Sequence, residues 1–332
     1  MREMPPDAAC AAGGPVEEVK APPNEARAAL IAGLFCYFTW GLVPLLMKAL
    51  AWAGADAWET TAHRCFWSVF LAAGLVWLSR QGGEFARVLR DVRTLGWLVL
   101  TALLIGTNWA LFTWASQNHH NLDASLGYYL NPLINMAAGA LLFRERISRA
   151  GWIAVALAGA GVVLQGVALG RLPLVSLALA LSFGSYGIIR KRVRADAQSG
   201  LLVECMVLAG PALLYILWLQ TRGQGHFGDP LTAALLLLAA LFTVIPLAAF
   251  SWAARRMPLS TMGFLQFIAP TMQFAIGAAF GEALSPLRLL SFGFIWAGVA
   301  VFIWSAWTRS RAAREDQRGQ VSGEAASTSP AR

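Results

Sequence analysis

The stretch ALFTWAS at residues 110–116 recurs 138 residues later as AAFSWAA at residues 248–254. Three pairs of residues downstream keep that spacing: Pro132 with Pro270, Asn135 with Gln273, and Gly139 with Gly277. After a shift of one residue the alignment continues in two stretches: FRERIS 143–148 with FGEALS 280–285, and AGV 160–162 with AGV 297–299. Because residues of different chemistry keep register together, the chain contains an internal repeat.

The repeat unit spans five apolar segments. Each segment is close to the roughly 20 residues that a helix needs to cross a bilayer. The ten segments are 28–50, 57–79, 94–116, 122–143, 150–169, 172–190, 200–220, 230–253, 259–281 and 286–307. They lack the alternation of barrel strands, so all are predicted as helices. Five is odd, so the second copy enters the membrane upside down, as in secondary transporters that bind substrate near the midplane.

The composition excludes most soluble classes of protein. Charged residues make up 13% of the 332 residues, against about 25% in soluble domains, and hydrophobic residues make up 57%. A soluble core cannot hide that much apolar surface. We predict an all-α polytopic membrane protein with ten transmembrane helices in a five-plus-five inverted repeat. Its predicted parts are a disordered tail 1–27, a first repeat 28–169, a second repeat 172–307 and a disordered tail 309–332.

The basic residues predict the orientation. Of the 26 lysines and arginines, 21 lie in the two tails and the even-numbered loops. The odd-numbered loops hold only four: Lys48, Arg171, Arg222 and Arg288. Cytoplasmic loops carry such an excess, so both termini are predicted to be cytoplasmic. Orientation also accounts for the net charge of +8, and no nucleic-acid partner is expected.

Titratable residues interrupt the second apolar segment. Glu59 and His63 are four apart and share a helix face, and Arg64 lies one residue round. A charge at bilayer depth costs about 2.5–3.5 kcal/mol, so these residues should face the interior. They are expected to form a substrate site in which Glu59 pairs with Arg64 or His63, or only to tie helices together. Glu204 is a further candidate, with snorkelling to the membrane surface as its alternative.

Amide side chains lie beside prolines in the fourth and ninth segments. Pro132 and Pro270 each remove a backbone donor, which can break a helix beside a binding site. Asn135 and Gln273 are repeat equivalents, and their alternative role is an interhelical hydrogen bond, worth about 0.6 kcal/mol. All the candidate substrate-binding residues are polar residues within apolar segments: Glu59, His63, Arg64, Asn108, Tyr128, Asn131, Asn135, Tyr186, Glu204, Gln266 and Gln273.

Six stretches resemble a known family: YFTWGLVPLLMK (37–48), ETTAHRCFWS (59–68), LIGTNW (104–109), SLGYYLNPL (125–133), FGSYGIIRK (183–191) and GFLQFIAPT (263–271). They are similar to the RarD permeases, described as chloramphenicol-sensitive proteins, which have EamA-type repeats and belong to the drug/metabolite transporter superfamily. The resemblance covers residues from about 30 to 305. It implies a permease of the bacterial inner membrane and implies no particular substrate.

A secondary transporter for a small metabolite or drug-like molecule, working by alternating access, is the predicted function. A GxxxxGK[ST] motif is absent, and neither a cofactor nor a metal is expected. Protons could be the coupling ion, since Glu59, His63 and Glu204 can titrate. The alternatives are an intramembrane enzyme for a lipid-linked substrate, although HExxH and GxSxG are absent, and a channel. The expected partners are the substrate and membrane lipids, and the chain is expected to be a monomer or homodimer.

Overall fold

The structure is a computed structural model that describes residues 23–143, 148–170, 172–190, 193–254, 256 and 265–327. Within these residues the chain forms eleven helices and no strand. In chain order the helices are α1 (Pro23–Trp52), α2 (Ala57–Leu78), α3 (Gly82–Arg90), α4 (Val92–Gln117), α5 (Asn121–Phe143), α6 (Arg149–Leu169), α7 (Leu174–Arg190), α8 (Ala197–Thr221), α9 (Pro230–Ala254), α10 (Ile268–Ala279) and α11 (Pro286–Ser327).

Most of these helices suit a lipid bilayer in length and composition. Seven candidate spans lie in α1, α2, α4, α6, α8, α9 and α11, and α7 and α10 are apolar but shorter. Large hydrophobic side chains such as Phe38, Trp77 and Leu214 are exposed on the outer surface of the bundle. Exposure on this scale is favourable against lipid and not against water. The chain is therefore a polytopic helical membrane protein, as the sequence predicts.

Two helices extend into the predicted tails. α1 begins at Pro23, within the tail predicted as disordered, and proline is favoured in the first turn of a helix. α11 continues to Ser327, although the sequence predicts a disordered tail from residue 309. Its Ala, Arg, Glu and Gln residues are good helix formers, so polarity alone was a poor guide there. The remaining parts of these predictions lie outside the described residues: 1–22, 328–332 and the start of the ninth segment at 259–264.

The loop predicted after the second segment contains a helix, α3. Its Val88 is 1% exposed and packs with Leu98 of α4 and Val203 of α8. Near its surface Glu84 and Arg87 form an ion pair. Nine residues are too few to cross a bilayer, so a search for apolar segments of spanning length misses this amphipathic helix.

Side-chain caps fix where several helices begin. Asp56 accepts a hydrogen bond from the Glu59 backbone N–H at 2.7 Å at the start of α2. Asp91 precedes α4 and accepts from the Thr94 hydroxyl at 2.6 Å and from its backbone N–H at 3.3 Å. These hydrogen bonds hold the pKa of the Asp91 carboxyl below its usual range. The Asp56 cap also sets the position of Glu59 at one end of the bundle.

The packed helix pairs follow the repeat. In the proposed halves, α1, α2, α4, α5 and α6 correspond in order to α7, α8, α9, α10 and α11. Exchanging the halves converts the pair α1–α9 into α7–α4, the pair α1–α10 into α7–α5, and the pair α2–α9 into α8–α4. The two helices of each of these six pairs pack against each other. Three more packed pairs map onto themselves: α2–α8, α5–α10 and α6–α11. The main packing contacts therefore have the same exchange symmetry as the sequence repeat.

The glycines of the two AGV stretches let α6 and α11 approach closely. A Cβ on Gly161 would lie 2.9 Å from the Ser291 carbonyl oxygen, and one on Gly298 would lie 2.9 Å from the Ala154 carbonyl oxygen. The Ser291 hydroxyl donates to the Gly161 carbonyl at 2.8 Å. Small residues allow such backbone contact between membrane helices. Each of the two helices thus uses the same repeat position to contact the other.

Candidate substrate-binding site

Arg64 lies inside the bundle on α2 and is only 6% exposed. Its Nε donates to the Thr243 hydroxyl of α9 at 2.5 Å. Its guanidinium carbon lies 4.8 Å from the ring centre of Trp109 on α4. Its Nη1 has no hydrogen-bond partner among the described residues. Three helices therefore enclose a guanidinium group that still has a donor to offer.

The buried carboxylates that the structure describes are all paired with groups other than Arg64. There are four of them: Glu59, Asp123, Glu204 and Glu282. Asp123 accepts from Arg288 at 2.7 Å, and Glu282 caps α5 by accepting two backbone N–H bonds at 2.7 and 2.8 Å. Glu59 and Glu204 bind other groups near opposite ends of the bundle. Within the described part of the chain, no carboxylate neutralises Arg64.

Glu59 binds the loop between α8 and α9, residues 222–229. One carboxylate oxygen accepts from the His226 backbone N–H at 2.6 Å, and the other lies 2.7 Å from His226 Nδ1. The prediction that Glu59 pairs with Arg64 or His63 is therefore wrong. Glu59 lies in the first turn of α2, about 7.5 Å along the helix axis from Arg64, where this loop covers the end of the bundle.

The same loop places Phe227 against His63. Their ring centres are 4.8 Å apart and their planes differ by 9°. Trp67 extends the stack at 5.6 Å from Phe227 and donates from Nε1 to His63 Nδ1 at 3.2 Å. The Nε2 atom of His63 has no hydrogen-bond partner among the described residues. Because His63 precedes Arg64 in α2, loop 222–229 contacts the turn of α2 that carries the arginine.

Glu204 forms a second buried carboxylate cluster toward the other end of the bundle. Thr101 donates to it at 2.7 Å, the Tyr186 hydroxyl donates at 3.3 Å, and Arg190 Nε lies 3.3 Å away. Glu204 is 1% exposed, so its side chain is held in the interior and does not snorkel to the surface. This cluster joins α4, α7 and α8 and brings together two predicted site residues, Tyr186 and Glu204.

Asn108 and Tyr128 meet in the central part of the bundle. The Tyr128 hydroxyl donates to Asn108 Oδ1 at 3.0 Å. Asn108 Nδ2 donates to the Ser182 hydroxyl and to a backbone carbonyl of α7, both at 3.0 Å. Phe112 and Phe183 meet the Tyr128 ring edge-on, at 5.7 and 6.1 Å. Helices α4, α5 and α7 are thus linked by polar contacts inside an aromatic layer.

The predicted amides of α5 and α10 are separate from this contact. Asn131 and Gln273 are buried, and each has an amide oxygen without a hydrogen-bond partner among the described residues. Gln266 is half-buried in the turn before α10. The side chain of Asn135 lies outside the described residues. The role of these repeat-equivalent amides in a substrate site therefore stays a prediction.

Several contacting residues were not predicted from the sequence. Thr243 is a hydroxyl-bearing residue within the largely apolar α9, and no sequence motif marks it as a site residue. Arg190 is one of the 21 basic residues counted in the tails and even-numbered loops, although its spacing of four from Tyr186 predicts a shared helix face. Lys48 was also assigned to a loop, but it lies inside α1 at 4% exposure, with Nζ 4.6 Å from the Phe280 ring centre. In the described part of the chain, no three His, Cys, Asp or Glu residues are grouped so that they could hold a metal ion.

Known proteins share both the fold and the sequence pattern. Residues 27–166, which contain most of α1, all of α2 to α5 and most of α6, match the EamA-like transporter family. A solved crystal structure, 18% identical, superposes with a TM-score of 0.56 and covers 85% of this chain and 98% of its own. That likeness shows a common fold alone. Together, the helical bundle and the family match define a multi-pass membrane transporter.

Two relatives show to which family of transporters the chain belongs. Protein RarD of Salmonella typhi is 40% identical over 286 residues, which cover 85% of this chain and 97% of that protein. Protein RarD of Streptomyces exfoliatus is 42% identical over 294 residues, which cover 88% and 93%. The chain belongs to the RarD family of EamA-like transporters.

Proposed function

We propose that this protein is a secondary transporter that carries a small metabolite or drug-like molecule across the bacterial inner membrane by alternating access. One observation carries the proposal: a polar interior is flanked by a buried carboxylate cluster on each side. Glu59 and loop 222–229 lie on one side, and Glu204 with Arg190 lies on the other. Arg64, Asn108 and Tyr128 lie between these clusters. An alternating-access carrier needs a closed barrier on each side of its substrate site, and the two barriers open one at a time.

The exchange symmetry of the helix packing supports a five-plus-five inverted repeat. The proposed halves are 28–169 and 172–307. The seven candidate spans, together with α5, α7 and α10, make the ten proposed transmembrane helices, and α3 lies outside that set. The excess of basic residues in the even-numbered loops supports cytoplasmic termini. The Glu59 cluster would then face the outside, and the Glu204 cluster the cytoplasm.

The two clusters suggest how each side would open. Outward opening would release His226 from Glu59 and lift Phe227 from His63. Inward opening would separate Arg190 from Glu204. Either movement would leave a carboxylate without its partner, and a proton could then neutralise it. Protons are therefore the proposed coupling ion, with Glu59 and Glu204 as the proposed carriers.

Uptake by proteoliposomes tests the proposal for a substrate of any chemistry. Vesicles with the purified protein are incubated in a bacterial metabolite extract, and their contents are compared with those of protein-free vesicles by mass spectrometry. We expect selective accumulation of one or a few compounds, with faster uptake when the vesicles are preloaded with the same compound. Accumulation only of a compound absent from the extract would indicate an enzyme. Accumulation without any effect of preloading would indicate a channel.

A locked variant provides the matched control. Trp67→Cys and Phe227→Cys, at positions whose rings lie 5.6 Å apart, are combined in a background without native cysteines and joined by a short reducible cross-linker. We expect no uptake in the cross-linked protein and recovery after reduction, since transport requires loop 222–229 to move. Equal uptake before and after reduction would contradict the proposed outer closure.

A further inference from the structure

Arg64 is a buried cation without a counter-charge among the residues that the structure describes. It is 6% exposed, and its Nη1 has no hydrogen-bond partner among the described residues. The four buried carboxylates that the structure describes all bind other groups. An unpaired buried charge is strongly unfavourable, so such a group is retained where something else pairs with it. Among the described residues, nothing supplies that pairing for Arg64.

We propose that Arg64 binds the anionic group of the transported molecule, and that this molecule is a small organic monoanion with an apolar or aromatic body. The inference rests on the proposed transport function and names the substrate class of that same site. A carboxylate is the anionic group that suits a planar guanidinium best, because two parallel N–H bonds can reach its two oxygens.

The contacts around Arg64 leave one edge of its guanidinium for a ligand. Nε is already bonded to Thr243, whose hydroxyl in turn donates to the Ala239 carbonyl at 2.9 Å. Thr243 therefore supplies an acceptor without supplying charge. The Trp109 ring lies against the guanidinium group. Among the described residues, Nε makes the hydrogen bond that Arg64 has, so Nη1 and Nη2, on the outer edge of the guanidinium, remain as donors for a ligand.

The surroundings argue for a single charge and an apolar body. Side chains of α2, α4 and α8 form an apolar cluster next to Arg64 that includes Ala62, Cys65, Ile105, Trp109 and Ile216. One guanidinium neutralises one negative charge. A phosphate dianion would leave a residual charge inside this cluster, where its desolvation is costly. A carboxylate on an aromatic or aliphatic body would match both the charge and the apolar wall.

Matched ligand pairs test this assignment on purified protein in nanodiscs. The pairs are benzoate with benzamide and indole-3-acetate with indole-3-acetamide, and inorganic phosphate is the dianion probe. Dissociation constants are taken from ligand-induced shifts of the unfolding midpoint. We expect the wild type to bind at least one carboxylate about tenfold or more tightly than its amide, and phosphate not at all. Arg64→Gln should remove this preference, Arg64→Lys should weaken it, and Arg90→Gln, at an exposed arginine of α3, should keep it.

Stability without ligand separates this role from a structural one. Removing an unpaired buried charge should leave the unfolding midpoint of Arg64→Gln equal to that of the wild type or higher. Equal affinity for acid and amide, an unchanged preference in Arg64→Gln, or no response to any carboxylate would overturn the assignment. Proteoliposomes that take up the amides and not the acids, with uptake blocked by the Trp67–Phe227 cross-link, would overturn the substrate class and leave the transporter proposal standing.

Discussion

His226 satisfies both oxygens of Glu59, one through its backbone N–H at 2.6 Å and the other through Nδ1 at 2.7 Å. The carboxylate is only 2% exposed, whereas the imidazole is in a loop and 43% exposed. A loop of eight residues therefore supplies the partner for a charge on a membrane helix. The position of this loop and the buried state of Glu59 depend on each other.

Substitution of either residue should loosen loop 222–229. His226→Ala and Glu59→Ala should each raise amide hydrogen exchange of this loop several-fold, because each removes the same pair. The double variant should exchange no faster than the more affected single variant, since the two residues act as one unit. His119→Asn, at an exposed histidine in another turn, is the control. Unchanged exchange in both single variants would show that packing alone holds the loop.

The Glu204 cluster should contribute to stability. Arg190→Ala would leave a carboxylate that is 1% exposed without its cation, and breaking a buried pair in this way costs about 3–5 kcal/mol. Thr101→Val removes one hydrogen bond to the carboxylate and should cost about 1.5–3 kcal/mol. We expect the unfolding midpoint in detergent to fall in that order. Arg87→Ala, in an exposed pair with Glu84, should leave the midpoint unchanged, and a loss there equal to that of Arg190→Ala would contradict this account.

The sequence predicted the membrane helices because apolar length is a local property. Segments such as 57–79 and 230–253 match α2 and α9 within a residue at each end. The partners of Glu59 and Arg64 were not predictable, because they depend on contacts between residues far apart in the chain. Glu59 and His226 are separated by 167 residues, and Arg64 and Thr243 by 179. Helix periodicity shows which residues lie on the same face of a helix. It does not show which other helix or loop packs against that face.

The amphipathic helix α3 determines which positions are suitable for a test of the topology. Val88 lies on the buried face of α3, so a cysteine at that position would be shielded in either orientation of the protein in the membrane. Arg90 and His119 are both exposed and lie at opposite ends of the bundle. In intact cells that lack other reactive thiols, we expect an impermeant maleimide to label His119→Cys and to spare Arg90→Cys, because basic loops stay in the cytoplasm. Labelling of Arg90→Cys alone would reverse the proposed orientation.

Gln273 is buried on α10 at 3% exposure, and its Oε1 has no hydrogen-bond partner among the described residues. A residue that only joined helices would use that oxygen, as Ser125 of α5 uses its hydroxyl on the Pro270 carbonyl at 2.8 Å. Gln273→Ala should therefore leave the unfolding midpoint nearly unchanged and lower uptake by proteoliposomes about tenfold, because an unused buried acceptor is available to a substrate donor. Asn135→Ala is expected to behave in the same way by the sequence repeat.

Ser125→Ala is the matched control for Gln273→Ala, since it removes a hydrogen bond in the same α5–α10 interface. It should lower stability by about 0.6 kcal/mol, an average value for such bonds in membranes, and leave uptake close to wild type. Uptake and the unfolding midpoint are measured on the same preparations so that the two effects can be compared directly. Wild-type uptake in both Gln273→Ala and Asn135→Ala would mean that these amides do not contact the substrate. The binding site would then be confined to the helices around Arg64.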